Sequence, residues 1–307
     1  MTTRPEWVKE GEPLAAFTTV GTGGAAEFFA RCGTSGQLSE TLAWARTAEV
    51  EIKMLGSGSN LLVADSGVSG LVLKLDRELA KIEVNGLEIS CGGGARLPAV
   101  AAAAARAGLS GIEFGVSIPG TVGGAVRMNA NAYGGELART LLWADVVTAE
   151  GSERRPPDSF DFQYRRSNLA AGEVVAGATF RLTPGDPDEV KQSLADLRAK
   201  RKASQPWGVR TFGSTFKNPT DPKAEGRSAG QLLDAAGCRG LVAGGASLSE
   251  KHANFVINHG EATTADVIAV MAEGIRRVRS EFGVVLEPEV QTFGEVEFPD
   301  DWPWSRT

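Results

Sequence analysis

Residues 55–62 read Leu-Gly-Ser-Gly-Ser-Asn-Leu-Leu, a glycine turn between two apolar segments. The apolar residues around it predict strands over 51–55 and 61–64. Glycine allows positive φ and a close approach of the backbone to a ligand, and successive N–H groups in such a turn form an anion-binding nest. Ser57 and Ser59 add hydroxyl donors. A single turn of this kind is most often only a turn, although its N–H groups and hydroxyls suit a phosphate.

Three further segments of the first half of the chain concentrate glycine. They are Gly21-Thr22-Gly23-Gly24, Gly92-Gly93-Gly94 and Ile118-Pro119-Gly120-Thr121-Val122-Gly123-Gly124. None of the four turns matches the dinucleotide fingerprint, because Leu61 stands where the third glycine after Gly56 and Gly58 is required, and no P-loop pattern occurs. Four such turns in one half of the chain still predict a long diphosphate ligand, with a flavin or nicotinamide dinucleotide as the natural candidate.

The composition is that of a globular enzyme. Glycine accounts for 38 of 307 residues, about 12 % against an average near 7 %. No Gly-X-Y period accompanies it, and 42 % hydrophobic with 23 % charged residues excludes a collagen-like or disordered chain. The length favours two or three domains.

Scarce residues exclude several kinds of chemistry. The two histidines are too few for a three-histidine metal site, and they leave a Ser-His-Asp hydrolase few candidates. The three cysteines are far apart, which excludes a disulfide framework and a CxxC zinc site. A net charge of −6 argues against a general nucleic-acid binder. No apolar run spans a bilayer and residues 1–13 carry no signal-peptide core, so we expect a cytoplasmic protein without a membrane anchor.

Periodicity predicts a mixture of helices and strands rather than a regular βαβ alternation, hence an α+β fold. The predicted helices are 37–46, 97–107, the segment from Asp186 to Lys202, 228–236 and 263–282. The predicted strands beyond the first turn are 71–75, 82–84, 87–91, 144–149, 173–182, 254–258 and 284–290. Residues 108–135 carry eight glycines and little periodicity, yet enough apolar residues to predict an ordered, functional loop.

Seven segments, in order, resemble the bacterial UDP-N-acetylenolpyruvoylglucosamine reductases. They are Thr18-Thr19-Val20-Gly21-Thr22-Gly23-Gly24-Ala25-Ala26, the turn at 55–62, the loop at 115–125, Phe162-Gln163-Tyr164-Arg165 followed by Ser167, Gly213-Ser214-Thr215-Phe216-Lys217-Asn218-Pro219, residues 249–255, and Leu286-Glu287-Pro288-Glu289-Val290. Each alone is weak, but seven in family order are highly specific. Only 17 residues separate Tyr164 from Leu182, so the chain resembles the shorter, type II form, which lacks a substrate-covering insertion there.

The resemblance implies a fold and a division into domains. The fold is an α+β, two-subdomain FAD-binding region of the vanillyl-alcohol-oxidase (PCMH) type with a C-terminal α+β substrate domain. We expect FAD-binding subdomains at 1–75 and 76–198, a substrate domain at 199–290, and a tail at 291–307 that packs back on the first subdomain.

The resemblance also implies a reaction. The family uses NADPH and FAD to reduce UDP-N-acetylglucosamine enolpyruvate to UDP-N-acetylmuramate, a peptidoglycan precursor. The substrate is a UDP-sugar, and no obligate protein partner is evident. Both histidines lie outside the expected FAD region, so we expect FAD to be bound non-covalently. Substrate and NADPH are anionic, so we expect a basic pocket around the third domain, formed by Lys200, Arg201, Lys202, Arg210, Lys217 and Lys251.

Site residues carry over from the matching motifs. The implied catalytic residues are Arg165, for the substrate carboxylate, Ser214, as proton donor to C2, and Glu289. The implied cofactor-binding residues are Gly56, Ser57, Gly58, Ser59, Asn60, Gly93, Pro119, Gly120, Thr121, Gly123, Gly124 and Asn129. Candidate substrate contacts are Tyr164, Lys217, Asn218 and Asn254, and no metal is expected.

Several alternatives stay open in the sequence. Arg166 competes with Arg165, and Glu287 has the same strand parity as Glu289. Asn131 replaces a glycine usual in the family, although asparagine tolerates a left-handed backbone. An amide such as Asn254 is as often bonded to backbone as to a ligand. Another flavin oxidase or dehydrogenase of the same type, or a sugar-nucleotide binder that has lost flavin, are the competing functions.

Overall fold

The computed structural model describes residues 3–304. The chain forms two compact units that interleave along the sequence. The first unit comprises the segment ending at Glu12, Glu27–Ser57 and Ser69–Arg201, and the second comprises Pro13–Ala26, Gly58–Val68 and the chain from Lys202 onward. The predicted domains follow one another along the chain, whereas Pro13–Ala26 and Gly58–Val68 belong to the second unit and interrupt the first. The boundaries at residues 75, 198 and 290 therefore stay a prediction.

The helices and strands range in length from two-residue strands to a helix of 19 residues. The α-helices are α1 (Ser35–Thr47), α2 (Leu97–Arg106), α3 (Val122–Arg127), α4 (Pro187–Ser204), α5 (Ala229–Ala235) and α6 (Thr264–Phe282). The strands are β1 (Val8–Pro13), β2 (Ala25–Cys32), β3 (Ile52–Met54), β4 (Leu61–Val63), β5 (Val68–Leu75), β6 (Ile82–Asn85), β7 (Glu88–Gly92), β8 (Leu109–Ser110), β9 (Asn131–Ala132), β10 (Gly135–Glu136), β11 (Leu141–Val147), β12 (Ser152–Arg155), β13 (Val174–Arg181), β14 (Thr183–Pro184), β15 (Val242–Ala243), β16 (Ala246–Leu248), β17 (Val256–Asn258) and β18 (Gln291–Phe293).

Two sheets organise the first unit. One has the strand order β1-β2-β5-β3, with β3 parallel to β5. The other is antiparallel, with the order β12-β11-β13-β7-β6. Leu71 and Leu73 of β5 share a buried cluster with Leu38 and Leu42 of α1, whereas α2 contributes to the core of the five-stranded sheet. The ends of β3 and β7 lead into glycine turns, so these sheets position the glycines.

The second unit is built around α6. The antiparallel sheet β15-β16-β17 and helix α5 share one apolar core with it. Strand β18 pairs in parallel with β4, and Phe298 and Trp302 pack against the same core. The expected packing of the tail on the first subdomain stays a prediction, and residues 305–307 lie outside the described chain.

Local sequence signals explain the elements that match the predictions. Thr263 caps α6, since its hydroxyl accepts from the N–H of Asp266 while the Asp266 carboxylate accepts from the N–H of Thr263. Gly283 ends this helix at φ 66°. The predicted hairpin is confirmed as β6–β7, with Gly86 at φ 58° in its turn. Helices α1, α2, α4 and α5 likewise confirm their predictions.

Two predicted features need correction. The closing strand at 284–290 is wrong, because that segment forms only an isolated bridge between Pro288 and Phe216, and the strand begins at Gln291. Pro288 has no N–H, so a ladder cannot continue through it. The predicted loop at 108–135 is ordered but contains helix α3, capped by Thr121. Its six residues include two glycines, too short and too flexible a stretch to show helical periodicity.

Candidate functional site

The first unit contains a pocket lined by glycine backbone, which we call the glycine cradle. Its polar and backbone lining comes from Gly56, Gly93, Gly94, Thr121, Gly123, Gly124, Arg127 and Glu173. Gly56 follows β3, the Gly93–Gly94 pair follows β7, and Thr121 begins α3 by accepting a hydrogen bond from the N–H of Gly124 at 3.4 Å. Of the residues predicted to bind the cofactor, the fold therefore brings five to one pocket.

These glycines divide into two kinds according to what a side chain would meet. A Cβ on Gly93 would lie 1.9 Å from the carbonyl oxygen of Val175, and one on Gly56 would lie 2.7 Å from Oγ1 of Thr121. Protein packing alone therefore requires glycine at both positions. A Cβ on Gly120 or Gly124 would meet nothing closer than 3.7 or 3.5 Å. Their bare backbone fits the close approach of a ligand.

Ser57 and Asn129 hold loops around the cradle. The Ser57 hydroxyl donates to the carbonyl of Pro119 at 2.6 Å, which ties the turn after β3 to the loop before α3. Asn129 has a left-handed φ of 40°, and its Nδ2 donates to Oε1 of Glu136 at 2.8 Å and to the carbonyl of Gln163 at 3.3 Å. The Oδ1 atom of Asn129 is buried and accepts no hydrogen bond from residues 3–304. A buried acceptor without a protein partner is the kind of group that a bound ligand satisfies.

Tyr164 and Arg165 form the tip of a tight hairpin in the first unit. Gln163 and Arg166 exchange backbone hydrogen bonds of 3.0 and 3.2 Å at its base. Arg165 has a φ of 59°, strained for a non-glycine residue, and its guanidinium stacks over Tyr164 at 5.3 Å. It also donates to the carbonyl of Asn131 at 3.3 Å, whereas Arg166 is exposed. The geometry favours Arg165 over Arg166 as a functional arginine.

Ser214 lies in the second unit, on a segment held by backbone pairing. It forms an antiparallel bridge with Phe255, and the next N–H, of Thr215, donates to the carbonyl of Asn254 at 2.9 Å. Gly213 precedes it at φ 86°, where glycine is required. The half-buried Ser214 hydroxyl makes no hydrogen bond to any residue of the described chain. The backbone at Ser214 is therefore fixed by its neighbours, and the Ser214 hydroxyl can bond to a ligand.

Two asparagines predicted as substrate contacts have structural roles. The amide of Asn254, 4 % exposed, accepts from the N–H of Phe216 and donates to its carbonyl, both at 2.9 Å. Oδ1 of Asn218 accepts from the N–H of Ala229 at 3.1 Å, at the start of α5. For Asn254, the structure thus supports the backbone-bonded alternative.

The two glutamates of the Leu-Glu-Pro-Glu-Val segment differ in their partners. The Glu287 carboxylate is exposed and paired with the ammonium of Lys217. Glu289 is half-buried, its N–H donates to the carbonyl of Thr215 at 2.8 Å, and its carbonyl accepts from Nδ2 of Asn60 at 3.1 Å. Glu287 is thus held in an ion pair with Lys217, and the choice of Glu289 over Glu287 stays a prediction from the motif match.

The turn at 55–62 is shared between the two units. Gly56 and Ser57 belong to the first unit, whereas Gly58, Ser59 and Asn60 belong to the second. Gly58 is required for packing, because its φ is 64° and a Cβ would lie 2.1 Å from the carbonyl oxygen of Phe17. Cofactor binding by Gly58, Ser59 and Asn60 stays a prediction.

Most cations of the predicted basic pocket have protein partners. Arg201, in the first unit, donates to the carbonyl of Ser117 at 2.6 Å, and burial lowers the pKa of its guanidinium. In the second unit, Lys251 donates to the carbonyl of Lys202, and Arg210 donates to the carbonyl of Gly260 at 3.4 Å. Lys200 lies beside Arg201 in α4. The basic pocket stays a prediction.

Two half-buried cations, one that lines the cradle and one that contacts it, escaped the sequence reasoning. Arg127 lines the cradle and donates to the carbonyls of Leu169 and Ala170, and burial lowers the pKa of its guanidinium. Lys74 donates to the carbonyl of Gly56. The sequence feature that could have pointed to Lys74 is its position as a single basic residue within the apolar stretch Leu-Val-Leu-Lys-Leu.

Neither a metal-binding cluster nor a membrane-spanning helix occurs in the described part of the chain. Within 3–304, no cluster of three or more His, Cys, Asp or Glu side chains suits a metal ion. None of the helices between these residues is long and apolar enough to cross a bilayer.

Comparison with known proteins assigns both halves of the chain. Residues 26–155 match the FAD binding domain, and residues 205–293 match the C-terminal domain of UDP-N-acetylenolpyruvoylglucosamine reductase. Proteins with that reductase name from Agathobacter rectalis and Sphingopyxis alaskensis are 44 % and 45 % identical, each over 93 % of this chain and 94 % of their own length. The crystal structure of the Thermus caldophilus enzyme is 36 % identical with a TM-score of 0.80, and the match covers 94 % of this chain and all of the other. The expected α+β fold with an FAD-binding region and a C-terminal domain is confirmed.

Proposed function

Since the chain belongs to the UDP-N-acetylenolpyruvoylglucosamine reductase family, we propose that it reduces UDP-N-acetylglucosamine enolpyruvate to UDP-N-acetylmuramate with NADPH and non-covalently bound FAD. The observation that carries the proposal is the glycine cradle within the FAD-binding domain. The open backbone at Gly120 and Gly124 and the orphaned Oδ1 of Asn129 support it.

The glycine cradle is the proposed holder of FAD. Thr121 and the glycines around it offer backbone N–H groups, the donors that suit a diphosphate. Among residues 3–304, no histidine or cysteine lines the cradle, which supports non-covalent binding. When bound, FAD supplies the hydride chemistry for the enolpyruvyl double bond.

Arg165 is the proposed ligand of the substrate carboxylate. Its guanidinium is always charged and offers a planar fork of donors, which matches a carboxylate. Negative charge develops on the carboxylate side of the enolpyruvyl group during reduction, and a fixed cation there stabilises it. Stacking on Tyr164 and the bond to the Asn131 carbonyl hold the guanidinium in place.

Ser214 is the proposed proton donor to C2 of the enolpyruvyl group. A serine hydroxyl is a weak acid, but the carbanionic carbon it serves is a strong base. The bridge to Phe255 and the pairing of Thr215 with Asn254 fix the backbone on which the hydroxyl sits. We assign Glu289 to polarise the same group, because its backbone is pinned from both sides by Thr215 and Asn60. A cytoplasmic location belongs to the same proposal.

NADPH oxidation that depends on the enolpyruvyl sugar nucleotide tests the proposed reaction. Protein incubated with FAD and then freed of unbound FAD by gel filtration should retain flavin absorption bands, and their absence would overturn every flavoenzyme assignment, leaving only a flavin-free binder. Flavin bands with NADPH oxidation that ignores the sugar nucleotide would identify a different flavoenzyme.

Ser214→Ala tests the assigned proton donor. We expect the variant to accept electrons from NADPH into FAD at the wild-type rate but to lose turnover on the enolpyruvyl substrate. Stopped-flow bleaching of the flavin measures the reduction of FAD by NADPH. Steady-state NADPH consumption measures the complete reaction with the enolpyruvyl substrate. Turnover close to that of the wild type would refute the role of Ser214.

A further inference from the structure

Lys74 donates a hydrogen bond to the carbonyl of Gly56, the first glycine of the turn at 55–62. It stands in β5, where its neighbours Leu73 and Leu75 are buried. Leu75 and Gly56 both line the glycine cradle, but the Lys74 side chain does not. The ammonium therefore contacts the backbone of a residue that lines the cradle.

This hydrogen bond fixes the orientation of one peptide plane. The peptides of residues 3–304 are trans, so the carbonyl of Gly56 and the N–H of Ser57 point in opposite directions. A donor held on the carbonyl keeps that oxygen turned toward Lys74. The same donor turns the N–H of Ser57 away from Lys74. A rotated peptide would instead present a carbonyl oxygen, which repels an anion.

Lys74 also sits in a locally positive environment. Burial lowers the pKa of its ammonium, the charges of Arg31 and Arg96 lower it further, and Asp76 acts in the opposite direction. The Asp76 carboxylate is itself paired with Arg31. Positive charge next to a partly desolvated ammonium is unfavourable unless an anion compensates it.

We propose that Lys74 is a positioning residue for the diphosphate of the bound dinucleotide: it orients the Gly56–Ser57 peptide and places positive charge next to the glycine cradle. This inference rests on the proposed use of FAD. It predicts that Lys74 matters for ligands that carry the diphosphate and not for the flavin ring by itself.

Lys74→Met, which keeps the length of the side chain and removes the charge and the donors, provides the test. The full-length protein is titrated with FAD and, in parallel, with riboflavin, and flavin fluorescence reports binding. We expect the dissociation constant of FAD to rise at least tenfold and that of riboflavin to change less than threefold. Lys53→Met is the matched control, because Lys53 lies on neighbouring β3 and pairs with Glu51 outside the cradle. It should bind both ligands like the wild type.

The outcomes separate the inference from the proposed function. A folded Lys74→Met variant that binds FAD within threefold of the wild type overturns the inference, and so does an equal loss for FAD and riboflavin. If the methionine variant does not fold, Lys74→Gln and Lys74→Arg decide. We then expect at least threefold weaker FAD binding for the first and less than threefold change for the second, and the reverse order overturns the inference. A wild-type protein that binds no FAD overturns the proposed function as well.

Discussion

Replacing Asn254 by alanine should destabilise the second unit far more than a lost ligand contact would imply. Its amide makes two 2.9 Å hydrogen bonds to the N–H and the carbonyl of Phe216, and both residues are almost fully buried, at 4 % and 1 % exposed. Each buried backbone group left unpaired costs about 1–3 kcal/mol. The two together predict a loss of roughly 2–6 kcal/mol in the free energy of unfolding.

Urea unfolding followed by tryptophan fluorescence measures this loss. With a slope near 2 kcal/mol per molar, the midpoint should fall by about 1–3 M. Asn218→Ala is the control, since it removes one part-buried hydrogen bond, from the N–H of Ala229 to Oδ1 of Asn218, and should cost only about 0.5–2 kcal/mol. The structural role would be refuted if the urea midpoint of Asn254→Ala fell no further than that of Asn218→Ala. If the KM for the sugar nucleotide also rose, Asn254 would again be the candidate substrate contact.

Three further predictions concern the first unit. Gly93→Ala should lower the free energy of unfolding of the ligand-free protein by about 1–3 kcal/mol or more. Gly124→Ala should leave that free energy, measured by thermal unfolding, within about 1 kcal/mol of the wild type but weaken FAD binding. Equal effects of the two substitutions on stability and on FAD binding would contradict the division of the glycines. Burial raises the pKa of the Cys91 thiol to about 12, so at pH 8 only about one thiol in 10⁴ is ionised, and fast reaction with a thiol reagent before denaturation would contradict this. Arg165→Lys should lower kcat/KM by about 10- to 100-fold and Arg166→Lys much less, and the opposite order would reassign the functional arginine.

Elements with a strong period and local stop signals could be predicted from the sequence. Helix α6 is the clearest case, because Val267, Met271, Ile275 and Val278 recur on one buried face and Gly283 ends the helix. The hairpin β6–β7 follows from Asn-Gly chemistry in the same way. For both the helix and the hairpin, the residues that determine the structure are close together in the sequence.

The site could be named only through the family resemblance. Arg165 owes its placement to a left-handed backbone and to the carbonyl of Asn131, 34 residues earlier in the chain, neither of which a residue pattern reveals. Asn254 pairs with Phe216, 38 residues away, so its structural role is invisible in sequence. The interleaving of the two units likewise depends on contacts between distant segments, which periodicity does not contain.

The glycines of the four glycine-rich turns differ in what a side chain would meet, a difference that composition does not show. At Gly92, Gly93 and Gly94, a Cβ would lie 2.1, 1.9 and 2.5 Å from carbonyl oxygens of Leu79, Val175 and Leu75 respectively, so these glycines permit close packing of backbone on backbone. At Gly120 and Gly124, a Cβ would meet no atom of the protein closer than 3.5 Å. Only the second kind offers unused space to a ligand. A glycine-rich turn therefore indicates a binding surface only where a side chain would have had room. Among the four glycine-rich turns, that criterion selects the loop before α3 and the first turn of α3.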